Sequence, residues 1–170
     1  TWSKIAAQFY TSFAIKTDGT LWAWGYNGYG NLGDGTAISR SSPVQLGSLT
    51  TWMQVAAGQY HSLAVKTDGT LWSWGQNDYG QLGNGNTTTY DSPIQVGALT
   101  NWSKISGGKY NSYAIKTDGT LWAWGINNYG QLGQGNTTNT SSPVQVGALT
   151  TWNVLSKNIQ SQSILVTTKG

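Results

Sequence analysis

A ten-residue segment recurs three times along the chain at a constant spacing of 50 residues. It reads Lys-Thr-Asp-Gly-Thr-Leu-Trp-Ala-Trp-Gly at Lys16–Gly25 and returns at Lys66–Gly75 and Lys116–Gly125, with Ser73 as the single exchange. A fixed period of this size indicates a repeat architecture, in which each unit stacks on its neighbours to bury a shared core. We expect one domain, made of repeats 1–50, 51–100 and 101–150 and a terminal half repeat, 151–170.

Each unit contains four short segments whose composition is typical of β-strands. In the first unit they are residues 2–7, 12–17, 20–24 and 43–46. The dipeptide Asp18-Gly19 separates the second and third segments and predicts a hairpin with a type I′ turn, which requires a positive φ at both central residues. In the third segment Trp22 and Trp24 share one face. Leu21 and Ala23 share the other, so both faces are apolar and we expect this strand to be covered on both sides.

The glycine-rich segment from residue 25 to 35 is predicted to be a loop, because its glycines permit positive φ. Leu32 and Tyr29 are expected to anchor this loop in the core. Four short strands in a unit of this length match the size of a β-propeller blade. The sequence therefore predicts an all-β fold with blades of four antiparallel strands and about 3.5 blades in this chain.

The terminal half repeat departs from the other units. Trp152–Leu155 matches the opening strand and Ser163–Thr168 matches the second strand, with one extra residue between Trp152 and Gly170. Lys169-Gly170 then takes the place of Asp-Gly, and no Trp-x-Trp segment follows. We expect Ile164–Thr168 to need a partner strand, either from residues not given in this sequence or from another subunit.

Composition excludes several kinds of site. The chain has no cysteine, which rules out disulfides, thiol catalysis and cysteine-ligated metal. Charged residues make up 9% of the sequence and the basic ones are not clustered, so we expect no nucleic-acid partner. No apolar run is long enough to form a membrane-spanning helix.

The titratable residues indicate no catalytic group, cofactor or metal site. Asp18, Asp68 and Asp118 each precede a glycine in the hairpin, where turn chemistry accounts for them. His61 is the single histidine, and its position holds Thr and Asn in the other units, so we expect a surface loop residue. Because no nucleophile and base recur together, we expect a protein that is not an enzyme.

The repeated residues resemble the regulator-of-chromosome-condensation repeat family. The family pattern Asp-Gly-x-Leu-x-x-Trp-Gly-x-Asn-x-x-Gly-x-Leu-Gly-x-Gly matches residues 18–35, and the other two copies fit equally well. The resemblance implies a β-propeller, commonly seven-bladed, with about one blade per repeat. Three full repeats and a half would form a partial ring, or half of a seven-bladed propeller that two copies complete through a two-fold axis.

Comparison of the three copies separates scaffold positions from variable ones. The constant positions are assigned structural roles: Asp18, Gly19, Trp22, Trp24, Asp68, Gly69, Trp72, Trp74, Asp118, Gly119, Trp122 and Trp124. The variable positions fall in loops at strand ends and form the candidate interface: Tyr26, Arg40, His61, Asp78, Tyr90, Lys109 and Ile126. The two tyrosines, Arg40 and Ile126 are expected to be exposed and are residue types that anchor protein interfaces.

These features predict a non-enzymatic protein-interaction or structural propeller module, as part of a larger bacterial or phage surface or virion protein. Low charge and a surface of Thr, Ser, Asn and Gln favour an extracellular, cell-surface or virion location. One alternative is a secreted inhibitor or regulator that grips a protein through its loop face, and another is a carbohydrate-binding propeller that uses Tyr26 or Tyr90. The expected partners are a protein or a glycan, with a possible homodimer or packing in a larger assembly. Guanine-nucleotide exchange, which the resemblance associates with the eukaryotic prototype, is not expected, because the strict spacing leaves no room for insertions.

Overall fold

Each 50-residue unit forms one antiparallel sheet of four strands that follow one another in space as they do in sequence. The computed structural model describes residues 1–155 and the backbone of residues 166–168. The first blade contains β1 (Trp2–Gln8), β2 (Thr11–Lys16), β3 (Leu21–Gly25) and β4 (Arg40–Gln45). The second contains β5 (Trp52–Ala57), β6 (His61–Lys66), β7 (Leu71–Gly75) and β8 (Tyr90–Gln95). The third contains β9 (Trp102–Gly107), β10 (Asn111–Lys116), β11 (Leu121–Gly125) and β12 (Thr140–Gln145).

This architecture confirms the predicted all-β fold with four-stranded blades, and the described residues contain no helix. The core lies between consecutive sheets rather than within one sheet. Leu21 and Leu32 of the first blade pack in one buried cluster with Trp52 and Trp74 of the second. A matching cluster joins the second blade to the third through residues such as Trp124. A sheet between two neighbours is therefore apolar on both faces, as its Leu-Trp-x-Trp strand predicts.

The Asp-Gly hairpin does not contain the predicted type I′ turn. The Lys16 N–H donates to the Thr20 carbonyl at 3.0 Å, and the Gly19 N–H donates to the Lys16 carbonyl at 3.0 Å. Gly19 has a φ of 79°, whereas Asp18 is not among the described residues with positive φ. Three residues lie between Lys16 and Thr20, so the glycine alone takes the left-handed conformation and forms a bulge. The Asp18 carboxylate accepts hydrogen bonds from the backbone and the hydroxyl of Thr20, which keeps this aspartate in a turn role.

The terminal half repeat forms a two-stranded sheet from β13 (Trp152–Leu155) and β14 (Val166–Thr168). Trp152 pairs with Thr168, whereas Trp102 pairs with Lys116. This register pairs Thr168 at the place of Lys116, with two extra residues between the paired positions where the sequence comparison predicts one. Ile164, Leu165, Lys169 and Gly170 lie outside the described residues. Among the described strands β14 has no neighbour besides β13, in keeping with the missing Trp-x-Trp segment.

Candidate functional site

The loops at one end of the blades carry tyrosines at two positions of every repeat. Tyr10, Tyr60 and Tyr110 lie in the loops between the first and second strands, and Tyr29, Tyr79 and Tyr129 lie in the loops after the third strands. With Phe9 and Tyr26 these residues define what we call the tyrosine surface.

The backbone of the first loop fixes its tyrosine in place. In the second blade the Tyr60 carbonyl accepts the Gln76 N–H at 2.8 Å, and the Gly58 N–H donates to the His61 carbonyl at 2.8 Å. A Cβ at Gly75 would lie 2.5 Å from the Tyr60 carbonyl oxygen, so only glycine allows this close approach. The loop is therefore rigid, and the Tyr60 side chain remains half-buried among other rings.

The second loop is organised around a buried asparagine. The Asn77 amide donates to the carbonyls of Asn86 at 3.0 Å and Thr88 at 2.9 Å, and its side-chain oxygen accepts the Leu82 N–H at 2.9 Å. These bonds hold Leu82 in the core while the preceding Tyr79 stays at the surface. Asn77 thus satisfies the Leu82 N–H, which is buried and would otherwise lack a partner.

Tyr29 is not the core anchor that the sequence predicts. Leu32 is fully buried, as expected, but Tyr29 is exposed, and Tyr129 has 85% of its surface exposed. Gly30 lies between Tyr29 and Leu32 and has a φ of 70°. A Cβ on Gly30 would lie 2.5 Å from the Cα of Asp91 in the next blade. The chain reverses at this glycine, so the residues before and after it cannot both enter the core.

The rings of the tyrosine surface contact one another across blade boundaries. The ring centres of Tyr29 and Tyr60 are 4.9 Å apart with a tilt of 48°, and those of Tyr79 and Tyr110 are 5.2 Å apart with a tilt of 54°. Tyr26 adds a third ring to the first pair, 6.0 Å from Tyr60. Each tilted aromatic contact stabilises the arrangement by about 0.5–1.5 kcal/mol. The surface is therefore ordered before any partner binds.

Few charges accompany these rings. The Lys109 ammonium lies 5.2 Å from the ring centre of Tyr110, and the Gln76 amide donates to the Asp78 carboxylate at 2.6 Å. Burial raises the pKa of Tyr110, and the neighbouring tyrosines and Asp78 raise it further. The Tyr110 hydroxyl therefore stays protonated at neutral pH and can donate a hydrogen bond.

Three of the candidate interface residues neighbour rings of the tyrosine surface: Tyr26 contacts Tyr60, the Lys109 ammonium lies near the Tyr110 ring, and the charge of Asp78 acts on Tyr110. Ile126 is 7% exposed, so its predicted exposure is wrong. Its N–H donates to the Tyr110 carbonyl at 3.0 Å, which ties it to the neighbouring loop, and burial of an aliphatic side chain is favourable.

Arg40 and Tyr90 occupy one repeat position and lie half-buried at the start of β4 and β8. Arg40 donates to the Asp34 carboxylate at 2.7 Å, and the Tyr90 hydroxyl accepts from Asn86 at 3.4 Å. Burial alone would raise the pKa of Asp34, but hydrogen bonds from Thr36 and Arg40 outweigh it and lower the pKa. Both side chains close a loop within their own blade and make no ring contact with the tyrosine surface.

His61 is not the surface loop residue that the sequence predicts. It begins β6 and is buried between the second and third blades, where its Nε2 lies 2.9 Å from the Ser112 Oγ. The Ser112 hydroxyl donates to the Gln81 carbonyl at 2.7 Å, so Ser112 must accept from His61 and the ring carries its proton on Nε2. Burial lowers the pKa of His61 to about 4, so this side chain is a neutral link between blades.

The part of the chain that the structure describes contains no group of three or more His, Cys, Asp or Glu side chains suited to a metal ion. In the same residues no helix is long and apolar enough to cross a membrane. The ordered feature that remains is the tyrosine surface. One signal in the sequence could have identified this surface: a tyrosine recurs at the same position of the glycine-rich loop in every repeat.

Four-stranded meanders that stack face to face, one per repeat, define a β-propeller repeat protein. The chain belongs to the family described as Regulator of chromosome condensation (RCC1) repeat, whose profile matches residues 18–65, 68–115 and 118–156. A second profile with the same description matches residues 2–31, 54–81 and 102–131. A search of curated proteins gave no significant match.

Solved structures show the same fold. Human WBSCR16 is 24% identical, with a TM-score of 0.75, over 86% of this chain and 39% of its own. Prp20p from Saccharomyces cerevisiae is 25% identical, with a TM-score of 0.75, over 86% of this chain and 38% of its own, and is described with its binding to Gsp1p and histones. The computationally designed Ika4 protein is 12% identical, with a TM-score of 0.51, over 100% of this chain and 92% of its own. The chain thus spans less than two-fifths of the two natural structures.

Proposed function

We propose that this chain is a non-enzymatic protein-interaction module that binds a protein partner through the tyrosine surface. The observation that carries the proposal is the set of mutually contacting tyrosine rings, exposed or half-buried, at the same end of all three blades. Tyrosine gives a large contact area at a low cost in conformational entropy, and its hydroxyl can form a hydrogen bond at the rim. Rings already held by their neighbours lose little further freedom on binding.

The relatives support a protein partner. Prp20p, a propeller of the same family, is described as binding Gsp1p and histones. Because this chain covers 38% of Prp20p, the identity of its own partner does not follow from that description. A partner that is an enzyme inhibited by the bound propeller would use the same surface, so the inhibitor alternative is a special case of this proposal.

The assignment as a non-enzyme is supported by the way the titratable residues are used. His61 is a buried link to Ser112, and Asp34 pairs with Arg40. Asp18 is a turn residue bonded to Thr20. Each has a structural partner that accounts for it, and none of these side chains lies in the tyrosine surface.

We propose that the module works inside a larger structural assembly, such as a surface or virion protein. The open face of the first blade supports this proposal, because Trp2 and Ile5 are exposed there. A further blade, from a longer chain or from a second copy, would cover them. In a ring of two copies related by a two-fold axis, the half repeat of each copy would lie against the first blade of the other copy. The two half repeats would therefore lie at opposite junctions and would not combine into a seventh blade. The mass of the native protein tests this: a stable monomer that consists of this chain alone would contradict it.

The interaction proposal is tested by capture with matched tyrosine variants. The immobilised chain, a Tyr60→Ala/Tyr110→Ala variant and a Tyr90→Ala control are exposed to extract from the source, and captured proteins are identified by mass spectrometry and then purified. Loss of anchoring rings is expected to weaken binding of the purified partner by about 30-fold or more. The Tyr90 control should bind like the unaltered chain. Equal affinity of all three proteins would show that the tyrosine surface is not the binding site, and a glycan array then tests the carbohydrate alternative.

A further inference from the structure

Two similar pockets lie at the boundaries between consecutive blades, outside the tyrosine surface. The first, of about 320 Å³, lies between the first and second blades, and the second, of about 260 Å³, lies between the second and third. Their walls repeat with the 50-residue period. Leu49, Trp72 and Pro93 line the first pocket, and Leu99, Trp122 and Pro143 line the second.

Each pocket is open because glycines form part of its wall. A Cβ at Gly47 or at Gly97 would meet no atom within 4 Å. A Cβ at Gly35 would lie 3.5 Å from the Ser92 hydroxyl, which is ordinary contact across the opening. The backbone itself is therefore exposed to whatever enters the space beside the tryptophan.

A complete pocket needs two blades, and the third blade shows this. On its far side Gly133, Gln134 and Val144 line a larger and more open depression, and no aromatic residue takes part. Leu149 holds the repeat position of Leu49 and Leu99 and is exposed like both of them. The described residues thus contain two complete pockets and one incomplete counterpart.

The walls combine an apolar base with a neutral polar rim. The Lys66 ammonium lies 3.5 Å from the ring centre of Trp72, and Lys116 lies 3.6 Å from that of Trp122, which holds both indoles in place. The Ser92 hydroxyl lines the first pocket. Asp34 is the single charged residue in either lining, and it is paired with Arg40.

We propose that each pocket binds one neutral sugar ring, the terminal residue of a glycan. The volumes are near the lower end for ligand sites, roughly 300 Å³, which suits one ring rather than a chain. A charged ligand would find no free countercharge. A wholly apolar ring would form no hydrogen bond with the exposed backbone or with the Ser92 hydroxyl, which donates to the Asp91 carboxylate at 3.3 Å and can still accept. A pyranose presents C–H groups to the indole and proline and hydroxyls to the rim, so it satisfies both.

This site is independent of the proposed protein interaction, because the two share no residue. Two pockets one blade apart would also allow a branched or densely displayed glycan to bind both at once. Linked binding of this kind exceeds the affinity of either pocket alone. A single sugar is expected to bind weakly, with a Kd on the order of 1 mM.

The test counts binding sites with substitutions at one repeat position. The methyl glycosides of galactose, mannose and N-acetylglucosamine are titrated against the full chain by saturation-transfer NMR and calorimetry, and we expect two equivalents of at least one sugar. Leu49→Arg and Leu99→Arg, at exposed rim positions that tolerate a long polar side chain, should each leave one equivalent. The double variant should leave none.

Leu149→Arg is the matched control, because it adds the same charge at the incomplete counterpart, and it should still bind two equivalents. The Tyr60→Ala/Tyr110→Ala variant should also bind two, so the failure of one proposal is distinguishable from the failure of the other. Absence of binding for all three sugars at 20-fold the expected Kd would overturn the proposal. So would two equivalents retained by the double variant, or a site lost in Leu149→Arg.

Discussion

The first and second blades share the same repeat motif and strand order, but they differ in what covers them. Trp2 and Ile5 of the first blade are 45% and 66% exposed, whereas Trp52 and Val55 at the same repeat positions are 4% and 5% exposed. Trp24 is half-buried, and its counterpart Trp74 is fully buried. The difference shows that these side chains are buried by the preceding blade, and we expect much of a blade's stability to come from that boundary, as in other repeat proteins.

The boundary is specific because it contains paired hydrogen bonds. The Ser62 hydroxyl and the Trp74 indole N–H both donate to the Asn31 carbonyl of the preceding blade, at 2.8 and 3.0 Å. At the next boundary, Ser112 and Trp124 donate to the Gln81 carbonyl at 2.7 and 2.9 Å. Ser12 and Trp24 form the same cross-strand pair in the first blade but have no acceptor among the described residues.

The largest expected effect comes from removing the buried tryptophan of the second blade. Trp74→Ala should lower the free energy of unfolding by about 3–5 kcal/mol, because it creates a cavity and removes a buried hydrogen bond. Trp24→Ala should cost about 1–2 kcal/mol, since that side chain is only partly buried. Urea unfolding followed by circular dichroism measures both. Equal losses would mean that the boundary does not dominate blade stability.

The boundary between the second and third blades should be sensitive to pH. The folded-state pKa of His61, about 4, is below its unfolded value of about 6.5, so the folded state binds fewer protons between these limits. The contribution of neutral His61 to the free energy of unfolding is thus fully present above a pH of about 6.5. As the pH falls towards about 4, the free energy of unfolding should decrease by on the order of 3 kcal/mol.

Unfolding by urea between pH 4 and pH 7 measures this loss. His61→Thr gives the second blade the residue of the first blade at this position and is the matched control. It should remove most of the pH dependence in this range. A variant that keeps the full slope would show that other groups titrate instead.

Gly33 and Gly133 hold the same repeat position in the loop after the third strand, but only Gly33 packs against a following blade with a complete sheet. A Cβ at Gly33 would lie 2.7 Å from the Trp74 Nε1, whereas one at Gly133 would lie 3.2 Å from a flexible valine methyl. Both have positive φ, so Gly133→Ala should cost about 1 kcal/mol from backbone strain alone. Gly33→Ala should cost about 2–3 kcal/mol, because it also displaces the indole. Thermal unfolding measures the loss of stability in each variant. Equal losses would mean that backbone strain at positive φ accounts for the whole effect and that the contact with the indole adds nothing.

The sequence predicted the blade well because its signals are local and repeated. The Asp-Gly hairpin, the Leu-Trp-x-Trp strand and the buried Leu32 follow from strand periodicity and turn residues. The turn type was wrong because the dipeptide alone does not reveal that Thr17 belongs to the loop. A three-residue loop with a glycine bulge needs one positive φ, whereas a two-residue type I′ loop needs two.

The proposed binding surface was harder to predict, because its tyrosines return in every copy, whereas the candidate interface was drawn from positions that vary between copies. Positions shared by all copies were assigned to the scaffold, which placed Tyr29 in the core and left Tyr60 out of the candidate interface. Burial of His61 and Ile126 depends on contacts with neighbouring loops and blades, which no single repeat shows. The sequence also does not indicate that, of the two apolar side chains on either side of Gly30, Leu32 faces the core and Tyr29 faces the surface.

The smallest effect isolates one hydrogen bond across the boundary. Ser62→Ala removes the hydroxyl that donates to the Asn31 carbonyl but leaves the Trp74 N–H on the same oxygen, so no buried acceptor is left without a partner. The expected loss is about 1 kcal/mol, the net contribution of an ordinary buried hydrogen bond. Ser12→Ala removes the same atom where no acceptor is present among the described residues and should change stability by less than about 0.5 kcal/mol. Urea midpoints of the two variants make the comparison, and a loss in Ser12→Ala as large as in Ser62→Ala would mean that the serine acts within its own blade rather than between blades.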